Sequence, residues 1–249
     1  MPAAAKKKRA IDRLLKPLVF VACAAPLAVL AWKFWTNDLS ANPLDDITDW
    51  TGRWTLRLLV ATLAITPLRR LTGWNRLQKV RRLIGLWAFA YVTLHLTTYL
   101  WLDKFFAWGD VLHDIAKRKF ITVGFAGWLM LAALAATSTD GMVRRLGGKA
   151  WQRLHRLVYC AAAAGTVHFL WLVKADHRRP IAYGVTFAVL LALRLPPIAA
   201  RLPRLRARLA GQPAPSSPPA PLNPPAADVM SAPDARPGET PLPRDAQEA

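Results

Sequence analysis

Six long apolar runs constrain this chain more than any other feature. They cover roughly 18–35, 52–68, 83–102, 120–138, 153–173 and 181–199, and 53% of the 249 residues are hydrophobic. A helix needs about 20 mostly apolar residues to cross a bilayer. Because lipid leaves backbone polar groups without water, helices are the favoured spanning structure. The sequence therefore predicts an all-α, polytopic membrane protein, a bundle of six transmembrane helices. The second run is the weakest, since Arg53 and Arg57 interrupt it.

The cations lie between the apolar runs, mostly on one side of the predicted membrane. The net charge is +19, and Lys and Arg concentrate near the N-terminus and in 69–82, 144–153 and 201–208. The connection 36–50 contains none. Because cytoplasmic connections are enriched in Lys and Arg, this pattern predicts that both termini are cytoplasmic. A nucleic-acid partner is not expected, because such binding needs a basic face on a soluble module. The expected surroundings are membrane lipid.

Three regions follow from these patterns. Residues 1–17 form a basic cytoplasmic N-terminus, 18–200 the transmembrane domain, and 201–249 a basic and then Pro/Ala-rich tail. Proline and alanine with scattered charge do not bury a core, so the tail is predicted to be a disordered cytoplasmic segment. The connections between runs are each shorter than about twenty residues, which leaves no room for a soluble catalytic domain between spans.

Three histidines lie inside the apolar runs: His95, His155 and His168. An imidazole in hydrocarbon is costly unless something pairs with it, which makes each a candidate functional residue. Counted from the cytoplasmic ends of their spans, His95 lies about 18 Å deep and His168 about 22 Å deep. This shared level predicts that the two bind opposite faces of one heme, an arrangement suited to one-electron transfer. Interhelical hydrogen bonding is the alternative for each histidine.

His155 differs from the other two, because it stands at the cytoplasmic boundary of its span. Its spacing from His168 corresponds to about 20 Å along a helix and a rotation of roughly 220°, so the two do not face one seam. A second heme would need a partner on the third span near Arg81 or Arg82, where the sequence has no histidine. Contact with a cofactor and a plain boundary position therefore both stay open for His155.

Arg53 and Arg57 are four residues apart, on one face of the second span near its external end. Snorkelling toward the lipid headgroups would explain both without a function. The sharper hypothesis is that one or both contact heme propionates, since a guanidinium matches the fork of a carboxylate.

Four stretches resemble a known family: RRLIGLWAFAYVTLHLTTYLWLD (81–103), KFITVG (119–124), TSTDGMVRRLGGKAWQRLHRLVY (137–159) and HFLWLVKAD (168–176). They are similar to MsrQ, also called YedZ, the family of heme-binding membrane subunits of bacterial MsrPQ methionine-sulfoxide reductase systems. That family lies within the ferric-reductase-like transmembrane group. The resemblance covers about residues 10–200, and 137–176 is its most specific part.

The resemblance implies a multi-pass protein of the bacterial inner membrane that carries heme b and FMN. The family's histidines match His95, His155 and His168. Electrons are expected to enter from the quinone pool or a cytoplasmic flavin reductase and to leave to MsrP, a periplasmic molybdopterin enzyme. MsrP then repairs methionine sulfoxide in periplasmic proteins. The chain is thus expected to be an electron-transfer subunit that does not itself bind the sulfoxide.

The flavin phosphate has candidate partners in the fourth connection, at Arg144, Arg145, Lys149 and Arg153. The positive-inside bias alone would also place cations there. Compared with the wider ferric-reductase group, the chain lacks a second histidine on the third span and an attached flavin–nicotinamide domain. Two rival functions stay open: a stand-alone ferric or other metal reductase, and a non-redox transporter or scaffold whose histidines carry protons or brace helices.

Overall fold

The computed structural model describes residues 3–209, with side chains from residue 14 onward except Pro203, Arg204, Arg206, Arg208 and Leu209. This part of the chain is helical and contains no strand, as the sequence predicts. The helices are α1 (Ala3–Trp35), α2 (Pro43–Thr72), α3 (Gln78–Thr97), α4 (Trp108–Lys117), α5 (Lys119–Ala136), α6 (Asp140–Leu146), α7 (Gly148–Leu154), α8 (Leu157–Leu172), α9 (Arg178–Ala192) and α10 (Pro196–Leu209). A 3-10 turn (Asn75–Leu77) precedes α3, and a π-helical segment (Thr98–Asp103) follows it.

Three helical stretches of the described chain are long and apolar enough to cross a membrane. They are Leu14–Trp35, Asn75–Asp103 and Lys119–Ala136. A fourth candidate is the pair α9 and α10, which meet at a bend of 80°. These stretches match the first, third, fourth and sixth predicted runs and are typical of a membrane protein.

The second and fifth predicted runs are not among the stretches that are long and apolar enough to cross a membrane. α2 contains 30 residues and carries Arg53 and Arg57 in its middle. α8 contains only 16 residues. At about 1.5 Å per residue it is roughly 24 Å long, less than the thickness of a typical hydrocarbon core. The sequence predicted one helix over 153–173. That prediction is wrong, because a turn at His155 and Arg156 interrupts the helix.

Two other predicted boundaries fall within helices. The basic segment 3–17 is helical and continues directly into the first apolar run. The run 181–199 is interrupted, because α9 ends at Ala192 and α10 begins at Pro196, where the missing proline N–H cannot continue a helix. α10 extends past the boundary predicted at residue 200 and buries Ala199, Leu202 and Ala207. The predicted Pro/Ala-rich tail from Gly211 onward lies outside the described residues.

The helices pack in two close pairs, α2 with α3 and α5 with α8. Small residues allow the second pair to approach closely: a Cβ built on Gly127 would lie 3.5 Å from the Cβ of Ala164. Such small residues are typical of helix contacts in membranes. In the centre of the bundle Leu59, Leu63 and Tyr91 are buried. The Tyr91 hydroxyl donates to the Cys23 carbonyl at 2.9 Å, which ties α3 to α1.

A buried carboxylate fixes the short helix α4. Asp114 contacts the Lys104 ammonium at 2.8 Å and the Arg118 guanidinium at 3.0 Å. The Tyr99 hydroxyl donates to the same carboxylate at 3.1 Å. One carboxylate therefore joins the π-helical segment, α4 and the start of α5.

Acidification is expected to weaken this attachment. The hydrogen bond from the Lys104 ammonium holds the pKa of Asp114 below its usual range. A lowered carboxyl pKa contributes stability above the unfolded value, about 3.9, and that stability is lost as pH falls through the folded pKa. We therefore expect Asp114→Asn to lower the melting temperature at pH 7, and the difference from wild type to shrink below about pH 4. Thermal unfolding in detergent across this range measures both. Asp110→Asn, on the exposed side of α4, is the matched control; an equal effect there would contradict the prediction.

Candidate functional site

Two of the three candidate histidines meet in the structure. The ring centroids of His95, on α3, and His168, on α8, are 6.0 Å apart, and the ring planes are at 88°. This geometry confirms the prediction that the two lie at one level of the bundle. Each histidine lies near the C-terminal end of its helix, since α3 ends at Thr97 and α8 at Leu172.

Both imidazoles are oriented by the same kind of hydrogen bond. Nδ1 of His95 lies 2.9 Å from the carbonyl oxygen of Thr48, and Nδ1 of His168 lies 2.7 Å from that of Phe120. A carbonyl oxygen only accepts, so Nδ1 carries the proton in both rings. Each Nε2 is then left with its lone pair. Metal-binding histidines are commonly fixed in this way, through the nitrogen that does not face the metal.

A glycine makes room for each imidazole. A Cβ built on Gly52 would lie 3.1 Å from Nδ1 of His95, and one built on Gly124 would lie 2.6 Å from Nδ1 of His168. In both cases the glycine comes four residues after the accepting carbonyl, hence one helical turn further along the same face. α2 and α5 thus use the same two-residue arrangement to hold a histidine of the neighbouring helix.

The pair lies in a cavity of about 640 Å³ within the bundle. This is within the usual range of ligand pockets, about 300–1,000 Å³. Most of its wall is apolar, with Leu59, Leu131 and Trp128 among the lining residues. Charged groups line it too: Asp45, Asp49, Arg53, Asp103 and Arg118.

The two arginines predicted to contact a cofactor differ in position. Arg53 lines the cavity and pairs with Asp49. Arg57 is not among the lining residues, and its guanidinium lies 4.7 Å over the ring of Trp54. Four residues of a helix separate them by about 6 Å in depth, which is enough to place only one at the cavity.

His155 lies apart from this cavity. It follows α7 at the break before α8, and its ring stacks on Trp151 with centroids 3.8 Å apart. Its Nε2 is 3.4 Å from the Thr137 hydroxyl. The four cations predicted near a flavin phosphate, on α6 and α7, are exposed and do not line the cavity: Arg144, Arg145, Lys149 and Arg153.

Several residues of the site were not predicted. Arg118 was not among the predicted site residues, although it lines the cavity. Gly52 and Gly124 were also missed, as were the carbonyls of Thr48 and Phe120. A glycine in an apolar helix can have many roles. Its position four residues after a carbonyl becomes informative only when a histidine of the neighbouring helix is known to face both.

The donor set restricts which metal the histidine pair can hold. An imidazole–metal bond is about 2 Å long, so two rings sharing one metal need centroids roughly 6 Å apart, as found here. In the described part of the chain no group of three or more His, Cys, Asp or Glu side chains is placed to hold a bare metal ion. Structural zinc takes four protein ligands, whereas heme iron takes four of its ligands from the macrocycle and needs only axial ones from the protein. The pair therefore fits heme.

Comparisons with known proteins identify the family of the chain. Residues 51–166 match the family model described as ferric reductase like transmembrane component, a range that includes His95 and His155. No solved structure matches the chain.

Several relatives are similar over most of their length, and each is named protein-methionine-sulfoxide reductase heme-binding subunit MsrQ. The one from Herminiimonas arsenicoxydans is 52% identical over 73% of this chain and 84% of its own length. The one from Caulobacter vibrioides is 50% identical over 74% of this chain and 88% of its own. The one from Rhodospirillum rubrum is 50% identical over 76% and 91%. With half of the residues shared across nearly the whole relative, the chain belongs to the MsrQ family.

Proposed function

We propose that this protein is a transmembrane electron-transfer subunit of the bacterial inner membrane. It carries electrons from a quinone or a cytoplasmic flavin reductase, through heme b and FMN, to the periplasmic enzyme MsrP, which repairs methionine sulfoxide. The observation that supports this most is the pair His95 and His168, with both Nε2 atoms free, in an apolar cavity. The relatives' name as heme-binding subunits supports the same cofactor.

The roles of the two histidines follow from their hydrogen bonds. His95 and His168 would hold the iron through Nε2, while the carbonyls of Thr48 and Phe120 fix the ring orientation and would raise the basicity of the ligating nitrogen. Heme supplies one-electron redox chemistry when bound. With both histidines bound to it, the iron would take part in electron transfer rather than bind oxygen. The wall around the pair is mostly apolar.

We also propose six spans with both termini cytoplasmic. α2 is rich in polar residues, yet Thr51, Thr55 and Thr62 are buried among its neighbours. A helix at the centre of a bundle meets lipid with little of its surface, so its composition need not be apolar. The asymmetry of Lys and Arg between the connections supports the orientation.

FMN is proposed on the family resemblance alone. The earlier prediction that Arg144, Arg145, Lys149 and Arg153 hold its phosphate stays a prediction. Their exposure is what the positive-inside bias would produce without any ligand.

The function is tested by reconstitution. The full chain in lipid nanodiscs is reduced chemically, and MsrP is then added with and without an oxidised protein substrate. We expect the absorbance of reduced heme to decay only when both are present. Rapid reduction of ferric citrate by the chain alone, with no response to MsrP, would favour the metal-reductase alternative. Absence of any Soret band would favour a transporter or scaffold.

Arg53 and Arg57 offer a matched pair for testing propionate contact. Because only Arg53 lines the cavity, Arg53→Ala is expected to lower the midpoint potential of the heme, since a nearby cation stabilises the more negative reduced state. Arg57→Ala is expected to leave the potential unchanged. Potentiometric titration followed at the heme absorbance measures both. Equal potentials for wild type and Arg53→Ala would show that the guanidinium does not act on the heme.

A further inference from the structure

Three arginines of distant sequence position converge at the end of the bundle opposite the histidine cavity. Arg70 lies in the last turn of α2, Arg81 in the first turns of α3, and Arg194 directly after α9. Arg70 and Arg81 are both close enough to Arg194 and to Tyr159 for direct electrostatic interaction. The Arg194 guanidinium donates to the Tyr159 hydroxyl at 2.7 Å and to the Leu63 carbonyl at 2.6 Å. We call Arg70, Arg81 and Arg194 the arginine cluster.

The cluster has donors that the described residues leave unused. Nε of Arg194 and Nη1 of Arg70 are both buried without a hydrogen-bond partner. The Tyr159 hydroxyl accepts from Arg194, which leaves its own proton free to donate. A buried charged donor without an acceptor is costly, so a structure that keeps two of them close together implies a missing acceptor.

Some described arginines outside the cluster pair with carboxylates of the chain. Arg82, adjacent to Arg81, pairs with Asp140 at 2.7 Å. Arg118 pairs with Asp114 at 3.0 Å. Within residues 14–209 no carboxylate pairs with a member of the arginine cluster. The described residues therefore supply no anion to the arginine cluster, two of whose donors are buried without a partner.

We infer that the arginine cluster binds a phosphate group from a ligand. Three guanidinium groups match a dianionic phosphate monoester in charge, and their N–H forks match its oxygens in geometry. The inference deepens the proposed function, because FMN carries such a group. It also moves the flavin phosphate from the exposed cations of α6 and α7 to partly buried arginines. A phosphate of a membrane lipid presents the same chemistry, so the test separates the two sources.

The test uses the full chain in detergent and measures binding of FMN by quenching of flavin fluorescence. Riboflavin has the same ring system without the phosphate and is the comparison ligand. We expect wild type to bind FMN more tightly than riboflavin. Arg70→Gln and Arg194→Gln are each expected to weaken FMN binding at least about ten-fold, as for loss of a charge-assisted hydrogen bond, with riboflavin binding unchanged. Arg70→Gln removes no described hydrogen bond, so it preserves the fold even if Arg194→Gln does not.

Arg144→Gln and Arg201→Gln are the control variants, because both residues are exposed. Neither is expected to change FMN affinity. Loss of FMN binding in Arg144→Gln, with none in Arg70→Gln, would overturn the inference, as would equal affinity of wild type for FMN and riboflavin. A fall in heme absorbance in Arg70→Gln with unchanged FMN affinity would assign the cluster to heme carboxylates and also overturn it.

Nanodiscs of phosphatidylcholine with and without phosphatidic acid identify the source of the phosphate. If phosphatidic acid competes with FMN in wild type but not in Arg194→Gln, the arginine cluster is a phosphate site that lipid can also occupy. Absence of competition, with the ten-fold loss in the variants, supports FMN as the ligand. Because heme absorbance is recorded in the same samples, failure of the flavin arm is distinguishable from failure of the proposed heme function.

Discussion

Replacing either His95 or His168 with alanine is expected to abolish the Soret band of a bis-histidine heme in the purified chain. His95 and His168 would each supply one ligating nitrogen, so either substitution would leave the iron with a single protein ligand. The rings are 6.0 Å apart with both Nδ1 atoms committed to carbonyls, so neither can swing to replace the other. The measurements are the visible spectrum and the heme content per chain.

His113 provides the matched control, because it is exposed on α4. His113→Ala is expected to keep the full spectrum. A Soret band that survives unchanged when His95 and His168 are both alanine would refute the assignment. Heme content also decides the role of His155: one iron per chain fits a boundary residue, whereas two would mean that His155 has an axial partner.

Adding a single methyl group at Gly124 is expected to be nearly as damaging as removing a histidine. The new Cβ would lie 2.6 Å from Nδ1 of His168 and 2.9 Å from its Cε1, so the ring must move away from the Phe120 carbonyl. Loss of such a supporting hydrogen bond commonly lowers metal affinity about 10–100-fold. We expect Gly124→Ala to lose most of its heme during purification, and Gly52→Ala, with a closest approach of 3.1 Å, to lose less.

Gly127→Ala separates this effect from general crowding of α5 against α8. Its Cβ would meet Ala164 at 3.5 Å, an ordinary contact, on the same helix one turn away. This variant is expected to keep its heme. The three variants are compared by heme content and by electron paramagnetic resonance, which reports the axial ligands. A wild-type signal from Gly124→Ala would show that the ring has another stable position.

The shared depth of His95 and His168 was predictable from the sequence, whereas the backbone and glycine contacts that hold their rings were not. Helical rise is a local property, so counting from the cytoplasmic ends placed His95 and His168 together, and the ring separation of 6.0 Å agrees. Counting residues along the helix did not show which of Arg53 and Arg57 lines the cavity, because both lie on the same helix face. It also missed the break at His155, which lies two residues inside the predicted run 153–173.

The sequence by itself determined the class of this protein. Apolar runs, charge asymmetry and the family stretches depend on composition and local spacing, and insertion of a helix into lipid depends on the same local properties. Only the tertiary structure decided which backbone carbonyls and glycines face the imidazoles, and that Arg70, Arg81 and Arg194 meet. Those contacts join residues on different helices. They depend on how the helices rotate and bend against each other, which no single helix specifies in its own periodicity.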